Sequence, residues 1–209
     1  MAERPTQRTA SVGVTEHGNS AVLVTVASDG ELIDRRRVDL TDSELPTHPH
    51  HHEGSWAVGR YKDSPWSREI SLAEAIDLVE RVRASAAIGA REALAALAAA
   101  VSEPITHIAI RMCAELPPTV EECITDNHAQ TFADSVMYRR AVATAAKACG
   151  WSVSWYDRER VFDEAATAFG HGDISAFIAA MGRSIGPPWQ ARQKLAAAAA
   201  LATMEQATR

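Results

Sequence analysis

Short apolar runs and long amphipathic stretches alternate along this chain. Ser11-Val12-Gly13-Val14-Thr15 is a brief alternating run, and Glu16-His17-Gly18-Asn19-Ser20 has turn composition. Ala21 to Val26 is rich in β-branched residues, and Leu32 to Leu40 forms a third such run after the hairpin signal Asp29-Gly30. The chain therefore opens on a three-stranded meander. Ser71-Leu72-Ala73-Glu74 is a capping-box signature. Beyond it Leu72, Ile76, Val79, Ala86, Ala90, Ala93 and Leu97 recur at helical spacing, which predicts a helix over 72–100. Ile105 to Met112 reads as a fourth strand, 113–127 as a connection, 129–148 as a helix closed by Gly150, and Trp151 to Tyr156 as a fifth strand. Three helices follow: 158–168 capped by Asp157, 174–181 capped by Asp173 and closed by Gly182, and 189–206 opened by Pro187-Pro188.

This order predicts an α/β fold in which a three-stranded antiparallel meander and added parallel strands share one mixed sheet flanked by helices. One domain over 11–206 is expected, with a flexible tail at 1–10 and a long insertion loop at 41–70 rich in His, Pro and Trp. Unstructured loops of that length in compact domains are uncommon and often functional. Composition supports a folded chain: of 209 residues, 46% are hydrophobic and 23% charged. Forty alanines, about a fifth of the chain, point to closely packed helices. A net charge of −6 excludes a protein that coats nucleic acid by bulk positive charge, but not one with a local basic groove. No apolar run reaches the roughly 18–20 residues of a membrane span. The polar start and the odd set Cys113, Cys123 and Cys149 indicate no signal peptide and reduced thiols, hence a cytoplasmic protein.

The order of elements resembles the RNase H-like superfamily, and within it the Holliday-junction resolvase group. The resemblance spans roughly 11–205 and is carried by Gly13-Val14-Thr15, Ala109-Ile110-Arg111, the strand running into a helix over Gly150–Val161, and Gln190-Ala191-Arg192-Gln193-Lys194-Leu195. It implies phosphodiester hydrolysis by two divalent metals held by carboxylates, at positions that here carry Thr15, Arg111, Gln190 and Gln193. Magnesium demands hard anionic oxygens, whereas Thr and Gln are neutral and Arg is a fixed cation. The expectation is therefore a catalytically degenerate, pseudo-nuclease relative that binds nucleic acid or a nucleic-acid-associated partner. Thr15, Arg111, Gln190, Arg192, Gln193 and Lys194 would form the anion-binding set. Arg111 has a plainer reading too, as the ion-pair partner of an acid such as Glu115. If an enzyme, the chain is a metal-dependent phosphodiesterase with relocated ligands, Glu16 by a one-residue slip and Glu115, holding Mg²⁺ or Mn²⁺. A third reading is an interaction or homo-oligomerisation module built on the Ala-rich helices and the Trp loop.

Thr47-His48-Pro49-His50-His51-His52-Glu53 concentrates donor side chains. His48, His50, His51, His52 and Glu53 are candidate ligands for Zn²⁺ or a similar ion, although neighbours on an extended strand point to opposite faces and no zinc-motif spacing is present. The alternative is a solvated loop. Trp56 and Trp66 beside Arg60, Lys62 and Arg68 suit either base stacking or anchoring of the loop. Arg139-Arg140 reads as a solvated face, Asp126 or Asn127 as a helix cap, and Cys113 as either a nucleophile or a buried structural thiol.

Overall fold

The structure is a computed structural model describing residues 8–204. Strands β1 (Ala10–His17), β2 (Ser20–Ala27) and β3 (Leu32–Asp39) form the expected meander. Helices α1 (Glu53–Ala57) and α2 (Leu72–Ala100) lead into β4 (Ile105–Arg111). Then come α3 (Val120–Thr125), α4 (Asn127–Ala148) and β5 (Ser152–Tyr156), and finally α5 (Val161–Phe169), α6 (Ile174–Ile185) and α7 (Ala191–Ala202). The sheet order is β3-β2-β1-β4-β5. β1–β2 and β2–β3 pair antiparallel, while β1–β4 and β4–β5 pair parallel. This mixed five-stranded sheet flanked by helices is the α/β arrangement expected from the order of elements.

Strand periodicity sorts the core into two layers. Val12, Val14, Ile108 and Ile110 pack with α2 and α4 on one face. Val22, Val24, Val26 and Ala109 pack with α5, α6 and α7 on the other. Gly13 faces α7, and a Cβ there would lie 1.8 Å from the Ala196 carbonyl oxygen, so the helix backbone rests directly on the strand. The fully buried run Ala196–Ala200 permits that approach.

The structure departs from the expected elements in ways that packing explains. The loop at 41–70 holds α1, and the connection at 113–127 holds α3, whose Thr119–Glu122 capping box satisfies its first turn. Gly182 does not close α6, which runs on to Ile185. Its missing side chain instead accommodates Trp189, whose indole atoms would lie 2.2 Å from a Cβ. Trp189 Nε1 donates to the Ile178 carbonyl at 2.8 Å, and Arg35 donates to the carbonyls of Gly186 (2.9 Å) and Pro188. The segment 187–190 is thereby kept outside the helix, and α7 starts at Ala191 rather than at the prolines. Of the tail expected at 1–10, residues 1–7 lie outside the described residues. Arg8 pairs with Asp29, Glu31 and Glu103, and Ala10 is already in β1. No helix among the described residues is long and apolar enough to cross a membrane.

Candidate functional site

The C-terminal ends of the parallel strands β1 and β4 meet the first turn of α7. The last paired positions, Gly13 and Ala109, both face α7. Two residues further on, the period of two puts Thr15 and Arg111 on that same face. Thr15 Oγ1 donates to the Arg192 carbonyl at 3.3 Å and is buried. Gln193 Oε1 accepts from the Gln190 backbone N–H at 3.1 Å, so this pair closes the start of α7. Thr15, Gln190, Arg192 and Gln193 are therefore brought to one place. These side chains are neutral or cationic, and as a set they do not fit Mg²⁺ or Mn²⁺.

Arg111 lines a cavity of about 330 Å³ with Met112, Tyr156, Asp157, Arg158 and Glu159. It has no ion-pair partner within 4.0 Å among the described residues, so pairing with Glu115 does not occur. Beneath it Tyr156 is buried and donates its hydroxyl to the Val14 carbonyl at 2.9 Å. Burial, with Glu16 nearby, holds that hydroxyl protonated. Arg158 and Arg192 are exposed and Lys194 is half-buried at this end of the sheet.

Glu16 points the other way. One residue past Thr15 it lies on the α4 face, where Arg139 Nε donates to its Oε1 at 2.8 Å and Arg139 Nη2 donates to the same oxygen. Arg139 Nη1 also holds the Met112 carbonyl at 2.7 Å. Both side chains are more than nine-tenths buried, at 7% and 9% exposure. This corrects the reading of Arg139 as a solvated face, although Arg140 is exposed. Glu115 is exposed. Glu16 thus does not share the α7 face with Thr15. Cys113 is half-buried, and burial pushes its thiol up, against a nucleophile's role.

The His-rich segment is docked onto α4 rather than solvated. Asp134 Oδ1 accepts from the His50 backbone N–H at 3.0 Å and lies 2.8 Å from His50 Nδ1, while Asp134 Oδ2 accepts from the His51 N–H at 3.1 Å. Tyr138 donates to the Thr47 carbonyl at 2.8 Å. Burial pushes the His48 imidazole down, and its ring centroid lies 5.3 Å from that of His52. Glu53 is buried at 9% exposure, and its Oε2 has no hydrogen-bond partner among the described residues. Among the described residues no group of three or more His, Cys, Asp or Glu side chains is placed to hold a metal ion. The His52 ring lies 5.3 Å from that of His48 and 5.4 Å from that of His51, while His50 is turned into the core against Asp134.

Arg60 anchors the Trp loop through the carbonyls of Ile124 (3.3 Å) and Thr125 (2.7 Å) and through Gln130 Oε1 (2.6 Å). Asp126 caps α4, accepting from the N–H groups of His128 and Ala129, both at 2.8 Å. Asp134 and Arg139 organise these buried networks, yet in sequence they are ordinary polar positions of a helix. Both are among the buried residues of α4, which lie nearly all round the helix, so no one-sided apolar stripe marks them out.

No protein-family model matches the sequence, and no curated protein matches it. Among solved structures it is similar to the RuvC protein of Thermus thermophilus in complex with a Holliday junction substrate. The identity is 17%, the match covers 93% of this chain and 91% of that one, and the TM-score is 0.49. A second T. thermophilus RuvC structure is 16% identical over 93% and 92% of the two chains, with a TM-score of 0.42. The strand order and directions, not these similarities, define the fold.

Proposed function

We propose that this protein binds nucleic acid, or a protein carried on nucleic acid, at the C-terminal end of its sheet, and that it does not cut. The observation that supports this is the side-chain set where β1, β4 and α7 meet. Thr15, Gln190 and Gln193 are neutral there, Arg111 has no ion-pair partner among the described residues, and Arg158, Arg192 and Lys194 add positive charge. Such a set suits phosphate oxygens through charge-assisted hydrogen bonds; Asp157 and Glu159 share the Arg111 cavity, but among the described residues no three His, Cys, Asp or Glu side chains are grouped to hold a metal. The long-range charge of the chain is negative, so binding depends on this local patch.

The test is fluorescence anisotropy with labelled single-stranded, duplex and four-way-junction DNA and RNA in Mg²⁺ at two salt concentrations. Binding that weakens with salt, and an Arg111→Ala/Arg158→Ala variant whose log–log salt slope is shallower by roughly two, are expected. No binding at low salt would overturn the reading. Mg²⁺-dependent cleavage lost in Glu16→Gln would make the chain a nuclease with relocated ligands instead.

A further inference from the structure

A second concave surface lies on the α2 face, away from the sheet end. A groove of about 910 Å³ runs between the 44–46 and 68–70 segments, α1 and the outer side of the first turns of α2. Two of its lining residues each carry a buried polar atom with no hydrogen-bond partner among the described residues: Glu53 Oε2, an acceptor, and Trp56 Nε1, a donor. Buried polar groups are seldom left unpaired, and each such case calls for an explanation. Burial also pushes the Glu53 carboxyl up, opposed in part by Arg68. The rim is acidic, with Glu44, Glu69 and Asp77 set against Arg68 and Arg81. Arg68 is exposed, and its guanidinium carbon stands 5.8 Å above the centre of the Trp56 ring, so a guanidinium already fits there.

We infer that this groove receives a basic peptide segment of a partner protein, with one arginine displacing Arg68 and reaching deeper than it does, past the Trp56 ring to Glu53. A guanidinium carries only donors and supplies what Glu53 Oε2 lacks. A peptide carbonyl supplies the acceptor that Trp56 Nε1 lacks. A polyamine has the charge but not the carbonyl. A nucleic acid has acceptors but is repelled by the rim. The inference stands whether or not the sheet end binds nucleic acid.

The experiment titrates the full chain with an acetylated, amidated peptide of alternating Arg and Leu, followed by Trp fluorescence and calorimetry. A twin with citrulline for each Arg keeps the shape and removes the charge. The Arg peptide binds, the citrulline twin is weaker by at least about tenfold, and Glu53→Gln weakens the Arg peptide by a similar factor, the scale of one charge-assisted hydrogen bond. Trp56→Phe keeps the ring, drops the N–H and weakens binding less. Asp77→Asn, on the exposed rim, gives a smaller loss that grows at low salt and does not depend on the buried site remaining folded. Equal binding of the two peptides, full binding by Glu53→Gln, no binding at millimolar peptide, or spermidine or duplex DNA displacing the peptide at equal concentration would each overturn the inference.

Discussion

Glu16 of β1 and Arg139 of α4 form an ion pair on the sheet face opposite Thr15, with both side chains more than nine-tenths buried. The pair ties the end of β1 to α4, and Arg139 extends the tie to the Met112 carbonyl after β4. Because side chains alternate along a strand, a carboxylate at 16 cannot stand in for one at 15. Removing one partner strands a buried charge. Arg139→Ala is expected to lose about 3–5 kcal/mol of stability in urea unfolding, and Glu16→Gln a smaller amount. A loss within about 0.5 kcal/mol for Arg139→Ala, the range of an ordinary surface change, would mean the charges are hydrated in solution.

Asp134 holds the His-rich segment by three contacts, to the backbone N–H groups of His50 and His51 and to the His50 ring. Each hydrogen bond to a charged group contributes roughly 1.5–3 kcal/mol. Asp134→Ala is therefore expected to free the 41–70 segment before the domain unfolds. Limited proteolysis should show early cuts between His48 and Arg60 in the variant and not in the native chain. Unchanged protection would show that Arg60 and Tyr138 suffice as anchors.

How much of this was legible in the sequence depends on the range of the forces involved. The meander, α2 with its Ser71 cap and the closing role of Gly150 follow from local periodicity, turn chemistry and capping. The fold class follows from the order of those elements. What escaped depends on tertiary contacts that local periodicity does not encode. Gly182 looks like a helix stop until Trp189 is seen packed on it. His50 looks like a metal ligand until it is found buried beside Asp134, 84 positions away, with no group of three donor side chains placed around an ion among the described residues. Thr15 and Glu16 are adjacent in sequence, and only the α7 and α4 packing shows that they serve opposite faces.

Glu53 makes the pH dependence of stability partly predictable. Its carboxyl is pushed up first by burial and further by Asp134, while its own backbone N–H and Arg68 oppose the shift. A carboxyl whose folded value is raised keeps its proton longer in the folded state than in the unfolded one. The folded state therefore loses relative stability as pH rises from about 4.5, the ordinary value, through the folded value, and the loss levels off above that. Glu53→Gln removes the ionisation. Denaturant midpoints should show the variant gaining on the native chain across that window and holding the gain at pH 8. A gap that is constant from pH 4 to pH 8 would show that Glu53 finds a partner in solution.

If, as proposed, the sheet end holds no metal because it lacks carboxylates, placing carboxylates there should create metal binding. Thr15 and Gln193 are linked to the same turn of α7, and an acid at 190 or 193 also sits favourably at a helix N-terminus. Calorimetric titration with Mn²⁺ should give a binding isotherm for Thr15→Asp/Arg111→Glu/Gln190→Asp/Gln193→Asp and none for the native chain at the same concentration. Thermal unfolding adds a second readout, since a metal bound only by the folded variant raises its Tm as Mn²⁺ increases. Removing Arg111 is part of the requirement, because a guanidinium beside the site repels the cation that the new carboxylates attract. The informative reversal is a native chain that binds Mn²⁺ and loses it on Glu16→Gln. That result would break the Glu16–Arg139 pair as described and return Glu16 to the sheet end as a ligand.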